Sequence, residues 1–231
     1  MSDLNKWKLV DLAIQKQLSR ILLYGPPGTG KTSVGMSSTG SEKSKARSIT
    51  LHEEYSPAEM IGMYVPEGQK FVFQDGPALL AMQEGCRLIL NEIDHASIAA
   101  MSILLQILDD QEVLTVETPD GRTIKPQPGF SVIATMNGNP NMLPTPILDR
   151  FEAKICIQQP HPGIYESLPT YFCEILSGSY ENSQPPFSSR EIMSINKLIK
   201  RGIEPEVAIQ IVLPEEKQEG FLTLYLAKMS G

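Results

Sequence analysis

A three-layer α/β domain with a mainly parallel sheet, followed by a small helical domain, is the fold class the sequence predicts. Three observations carry it. Apolar runs at Ile21-Leu22-Leu23-Tyr24, Arg87-Leu88-Ile89-Leu90 and residues 130–135 each stop abruptly at a glycine-rich or polar group, as buried parallel strands do when their carboxyl ends line a ligand crevice. Ile98, Met101, Leu105 and Leu108, with Leu104 beside them, mark one face of a helix between the second and third of these strands. Composition then changes at Gln159-Pro160-His161-Pro162. We place the boundary there, giving a core over 1–158 and a helical domain over 159–231.

The elements follow in order. Residues 3–17 carry Leu4, Trp7, Val10, Leu12 and Ile14 in a helical pattern, with Trp7 as a packing residue. A helix should start at Thr32 and end in the polar stretch 37–44, and residues 47–52 alternate as a strand with Ile49 and Leu51 on one face. Ser56-Pro57-Ala58-Glu59 opens a short helix. Tyr64-Val65 and Phe71-Val72-Phe73 flank the turn Pro66-Glu67-Gly68 as a small β insertion. Residues 77–84 read as a helix with proline at its start and Gly85 after its end. Residues 113–116 and 122–124 flank Asp120-Gly121, a hairpin signal. A helical turn over 146–150 and a strand over 152–157 complete the core. Beyond the boundary, Ser188 and Glu191 fit a capping box, Ile192, Ile195, Leu198 and Ile199 line a helix stopped by Gly202, and Pro205 and Glu215 open two more.

Composition narrows the function. The chain has 231 residues and a formal net charge of −7, which argues against coating a nucleic-acid duplex. No run approaches the roughly 20 apolar residues of a membrane span. The first residues lack the apolar region of a secretion signal, and the odd set Cys86, Cys156 and Cys173 has no metal-ligand spacing, so a reducing cytoplasm is expected. His95 and His161 have no ligand spacing either.

The chemistry begins at Gly25-Pro26-Pro27-Gly28-Thr29-Gly30-Lys31-Thr32, which fits G-x-x-x-x-G-K-[ST] directly after an apolar strand. Backbone N–H groups of such a loop converge on phosphate oxygens, the lysine reaches the terminal phosphates and the hydroxyl reaches Mg²⁺. A bare Gly/Pro turn would need neither Lys31 nor Thr32. Hydrolysis of a nucleoside triphosphate also needs a group to activate water and cations to stabilise the transferring phosphoryl. Glu92, at the tip of the second strand, is the candidate water activator, and Asn137, at the tip of the third, can position water or the terminal phosphate.

With these residues in place, the chain resembles an AAA+ ATPase of the MoxR and dynein-related branch, which includes CbbQ and NorQ types. The resemblance runs from the phosphate loop to the helical tail. Gly25 to Thr32 match the Walker A loop, so Gly25, Pro26, Pro27, Gly28, Thr29, Gly30, Lys31, Thr32 and the adjoining Ser33 are expected to hold ATP. Leu88-Ile89-Leu90-Asn91-Glu92-Ile93-Asp94 match Walker B, residues 130–137 match the sensor-one strand with Asn137 as sensor, and residues 60–76 resemble the family's insertion. Asp120-Gly121 matches the pre-sensor hairpin. Ile147-Leu148-Asp149-Arg150-Phe151 resembles the arginine-finger segment, which makes Arg150 a contributor to a neighbouring subunit's site. Ser189-Arg190-Glu191 resembles the lid segment with Arg190 as the sensor-two arginine.

One departure stands out. The family usually reads Asp-Glu-Ile-Asn at the Walker B tip, whereas here Asn91 offers a neutral carbonyl to the metal shell alongside Thr32. The resemblance implies ATP and Mg²⁺ as ligands and a ring, expected to be hexameric, that remodels or activates a protein client, often one with a von Willebrand type A domain. The rival readings are a nucleotide-dependent assembly switch with little hydrolysis, a chelatase-like motor subunit, and a part of a nucleic-acid-processing machine, the last disfavoured by the acidic balance.

Overall fold

The computed structural model describes residues 6–37, 46–181 and 185–229. The expected helical start at 3–5 and most of the polar stretch 37–44 lie outside them. Contacts divide the chain into two compact units: one runs to Tyr24 and resumes from Lys31 to Cys156, and the other takes Gly25–Gly30 together with everything from Ile157 onward.

The first unit begins with α1 (Lys6–Gln15), which buries Trp7, Val10 and Ala13 at helical spacing. Strand β1 (Arg20–Gly25) leads to the loop, and α2 (Lys31–Ser37) restarts this unit after it. Strand β2 (Arg47–Thr50), α3 (Pro57–Ile61), β3 (Gly62–Glu67), β4 (Lys70–Asp75), α4 (Pro77–Glu84) and β5 (Arg87–Asn91) come next. Then follow α5 (Ile98–Ile107), β6 (Val116–Glu117), β7 (Thr123–Ile124), β8 (Ser131–Asn137), α6 (Thr145–Asp149) and β9 (Ala153–Cys156). The main sheet has five strands in the order β2-β5-β8-β1-β9, with parallel pairing at β1/β9, β2/β5 and β5/β8. Its central strands are buried along nearly their whole length: β5 hides Leu88, Ile89, Leu90 and Asn91, and β8 hides residues 132–136. That is why they read in sequence as continuous apolar runs rather than alternating ones.

The hairpin around Asp120-Gly121 is shorter than the sequence suggests. Residues 113–115 do not join its strand, because the amides of Val113 and Leu114 both donate to the carbonyl of Asp110 in a turn, at 2.9 and 2.8 Å. Only Val116 and Glu117 remain to pair with Ile124 and Thr123.

The two hairpins of this unit are tied together by Arg122. Its guanidinium donates to both oxygens of Asp75 at the end of β4, at 3.1 and 2.5 Å, and to Asp120 at 2.7 Å, while sitting 5.7 Å from the centre of the Phe73 ring. Tyr64 Oη adds a bond to the carbonyl of Pro119 at 3.2 Å. The Arg122 hydrogen bonds hold the Asp75 carboxyl below its ordinary range, against the opposing push of partial burial. A carboxyl whose pKa is lower folded than unfolded stabilises the structure above the unfolded value, about 3.9, and loses that contribution as pH falls through the folded value. Protection factors of the β3–β4 amides, taken relative to the intrinsic exchange rate at each pH, should therefore fall in acid below that point. Arg122→Ala should lower them already at neutral pH, by less than about tenfold, the scale of a partly solvated ion pair.

The second unit is helical after the loop: α7 (Pro162–Glu166), α8 (Thr170–Ser179), α9 (Ser189–Lys200), α10 (Pro205–Val212) and α11 (Glu215–Met229). The capping box of α9 is present, with Glu191 N donating to Ser188 Oγ and Ser188 N donating back to Glu191. Helices α7 and α8 were not expected. Phe172, Ile175, Leu176 and Ser179 form the buried face of α8, and Phe172 packs against Phe221 and Tyr225 of α11 in an aromatic core.

Candidate active site

The loop 25–30 is held by its own unit through its carbonyls. Tyr180 Oη donates to the Pro27 carbonyl at 2.8 Å, Ser189 Oγ donates to that of Gly28, and His161 N donates to that of Thr29 at 2.9 Å. Across a planar trans peptide the N–H points opposite to the C=O, so the amides of Gly28, Thr29 and Gly30 face away from these three donors. Amides turned from the protein in this way are one element of an anion nest. Thr29 is fully buried and donates to the Pro26 carbonyl at 3.3 Å, fixing the turn from within. Gly28 has φ 76°, and a Cβ there would stand 2.8 Å from Tyr180 Oη and 3.2 Å from Ser189 Oγ, so glycine is required by both conformation and space. Burial pushes the Tyr180 phenol pKa up, which keeps it a hydrogen-bond donor at neutral pH.

Beside the loop, in the same unit, a cavity of about 370 Å³ is lined by Pro27, Gly28, Ser188, Arg190, Glu191 and Lys217. Arg190 is exposed at the first turn of α9. Lys217 reaches Glu191 at 3.1 Å and so brings a second cation to this cavity.

In the first unit, Lys31 is 6% exposed, and its Nζ donates to Asn137 Oδ1 at the end of β8, at 3.4 Å. Thr32 and Ser33 are exposed on the first turn of α2. Glu92 follows β5 with φ 54° and ψ 48°, a left-handed backbone that a non-glycine residue rarely adopts. Its neighbours Asn91 and Ile93 are both buried, and the reversal turns Glu92 outward between them. One oxygen of Asp94, Oδ1, is buried with no hydrogen-bond partner.

Asn91 is pinned laterally. Its Nδ2 donates to Ser48 Oγ at 2.8 Å and to the Ile49 carbonyl at 3.3 Å, while Thr135 Oγ1 donates to its Oδ1 at 3.4 Å. The Ile49 carbonyl can only accept, so the amide nitrogen must face it. An aspartate could not fill that place without setting an oxygen against the carbonyl. Mg²⁺ usually takes few protein ligands and completes its shell with phosphates and water. The exposed Thr32 hydroxyl suits that role, whereas Asn91 brings no charge to it. Among the described residues no group of three His, Cys, Asp or Glu side chains could hold a metal.

Arg150 lies at the carboxyl end of α6, where Nη1 donates to the Pro146 carbonyl at 2.9 Å and Nη2 stands 3.9 Å from Asp109 Oδ2. Tyr180 and Lys217 escaped the sequence reading, and so did the contact that the His161 amide makes with the loop. Tyr180 lies 153 residues from the proline it holds, and no spacing rule connects the two.

The G-x-x-x-x-G-K-[ST] motif at residues 25–32, directly after a buried strand, is that of a P-loop nucleotide-binding protein. The chain belongs to the AAA domain family, dynein-related subfamily, which matches residues 20–151. It is 32% identical over 126 residues to protein NorQ of Paracoccus denitrificans, covering 54% of this chain and 46% of NorQ. Midasin of Giardia intestinalis is 37% identical over 132 residues, 55% of this chain and 3% of midasin. The chain thus spans less than half the length of these relatives. A putative ATPase from Cytophaga hutchinsonii shares the fold with a TM-score of 0.56 at 20% identity, over 84% of this chain and 59% of that one. No helix among the described residues is long and apolar enough to cross a membrane.

Proposed function

We propose that this chain binds ATP with Mg²⁺ and hydrolyses it as a subunit of a ring, expected to be hexameric, that remodels or activates a protein client in the cytoplasm. The observation that carries this is the Lys31 ammonium beside Asn137 at one strand tip, with Glu92 turned outward by a left-handed backbone at the end of the adjacent strand. In this reading Gly25 to Ser33 hold the phosphates, Lys31 and Arg190 neutralise them, Thr32 ligates Mg²⁺, Glu92 deprotonates water, and Asn137 orients it. Bound Mg²⁺ supplies charge neutralisation at the phosphates. Arg150 serves the next subunit. Resemblance to the NorQ type supports a protein client, of which a von Willebrand type A domain protein is one candidate.

A second reading has its own support. Asn91 is held by Ser48, Ile49 and Thr135 and leaves the metal shell without the usual carboxylate charge, as suits an assembly switch with little turnover. Both readings need nucleotide. Sedimentation velocity with and without ATP should show nucleotide-dependent assembly of the wild type. Lys31→Ala should lose both assembly and ATP affinity, the latter by about 100-fold or more, the scale of a lost charge-assisted phosphate contact in a dry site. A folded Lys31→Ala chain that bound ATP like the wild type would remove the site from this loop.

A further inference from the structure

We propose that the outer face of α9 is a docking groove for a short acidic peptide segment of a protein partner. The groove has a volume of about 670 Å³, and Arg190, Met193, Ser194, Lys197, Lys200 and Arg201 line it at helical spacings of three and four, all exposed. Among the described residues no carboxylate lies within 4.0 Å of these four cations. Glu191, the sole acid of α9, is turned instead to Lys217 and the Ser188 cap. Lys200 Nζ reaches only a carbonyl, that of Ser167, at 3.5 Å.

Helix stability does not account for this row. Lys197 and Lys200 fit the negative end of the helix dipole, but Arg190 sits in the first turn, where a cation is unfavourable. Like charges three and four apart also repel. In a chain of net charge −7, four cations brought together without counter-charges make a positive groove on an otherwise negative molecule.

The dimensions and chemistry select the occupant. Twelve residues of α9 span about 18 Å, the length of five or six extended residues. Met193 gives the row an exposed apolar contact at 41%, which suits an acidic peptide carrying one aliphatic side chain. Nucleic acid fits less well: the groove lining has no aromatic ring for base stacking, and the chain as a whole is acidic, with a net charge of −7.

The probe is a fluorescein-labelled acidic octapeptide containing one leucine, titrated against the full chain and read by anisotropy. We expect binding that weakens as salt rises, falls about tenfold or more in Lys197→Gln/Lys200→Gln/Arg201→Gln, and is unchanged in Lys125→Gln, a cation elsewhere. Arg190 lines both this groove and the cavity beside the loop, so the triple variant leaves it in place, and its ATP affinity should stay at the wild-type value. The proposal is overturned if the peptide does not bind, if the folded triple variant binds it as well as wild type does, or if an oligouridylate of equal charge binds more tightly.

Discussion

Glu92→Gln should lower ATP turnover by about 10²–10⁴-fold, the usual worth of a positioned general base, while ATP affinity stays within a few-fold. In the proposed mechanism the substitution leaves the contacts to the phosphates untouched and removes only the proton acceptor. The left-handed backbone at this position adds a second, independent expectation. A non-glycine residue held there costs about 1–3 kcal/mol, and buried Asn91 and Ile93 on either side enforce it. Glu92→Gly should therefore fold at least as stably as the wild type, by chemical denaturation, and be as inactive as Glu92→Gln. A residue that weakens its own fold in this way is what a functional constraint looks like. Asn91→Asp belongs in the same series. It should destabilise the chain by about 1–3 kcal/mol, because the Ile49 carbonyl loses its donor and meets an oxygen instead. If it nevertheless raised turnover strongly, from a wild type no faster than Glu92→Gln, the active-motor reading would fall and the assembly switch would stand.

What could be read in advance follows from how each feature is encoded. Strands β1, β5 and β8 announce themselves because a strand covered on both faces must be apolar throughout, and their polar ends mark the crevice. The phosphate loop is legible because glycine is demanded by backbone conformation at fixed offsets. Other features depend on contacts between distant segments. Tyr180 acts on Pro27, and Arg122 joins two hairpins through Asp75 and Asp120, and no local pattern records either. Helix α8 was within reach, since Phe172, Ile175, Leu176 and Ser179 have helical spacing, but its prolines and serines on both sides masked it. The exchange of Asp for Asn at position 91 is visible in sequence as a departure. Its meaning is not, because the reason lies on the neighbouring strands, at Ser48, Ile49 and Thr135.

Arg150→Ala should reduce turnover by about 10³–10⁵-fold, the range for an arginine that stabilises phosphoryl transfer, with ATP binding by each subunit preserved. In the single chain Arg150 is occupied locally: it bonds the Pro146 carbonyl and faces Asp109 at a weak 3.9 Å, with Nε buried and unbonded. Such a side chain is held but poorly satisfied, so a stronger anion supplied from outside would displace it. If that anion is the nucleotide of the next subunit, the defect must be transferable. Rings mixed from Arg150→Ala and Glu92→Gln chains contain one kind of junction at which a subunit with intact Glu92 receives Arg150 from its neighbour. Mixing the two inactive proteins should therefore restore a fraction of the wild-type rate, rising with the share of such junctions as the mixing ratio approaches equality. No recovery in rings shown to be mixed would mean that Arg150 acts within its own chain, and the reduction in rate would then trace to the α6 terminus that it braces. Asp109→Asn separates the two further: loosening the local contact should raise turnover modestly if Arg150 works across the junction, and lower stability without raising turnover if it does not.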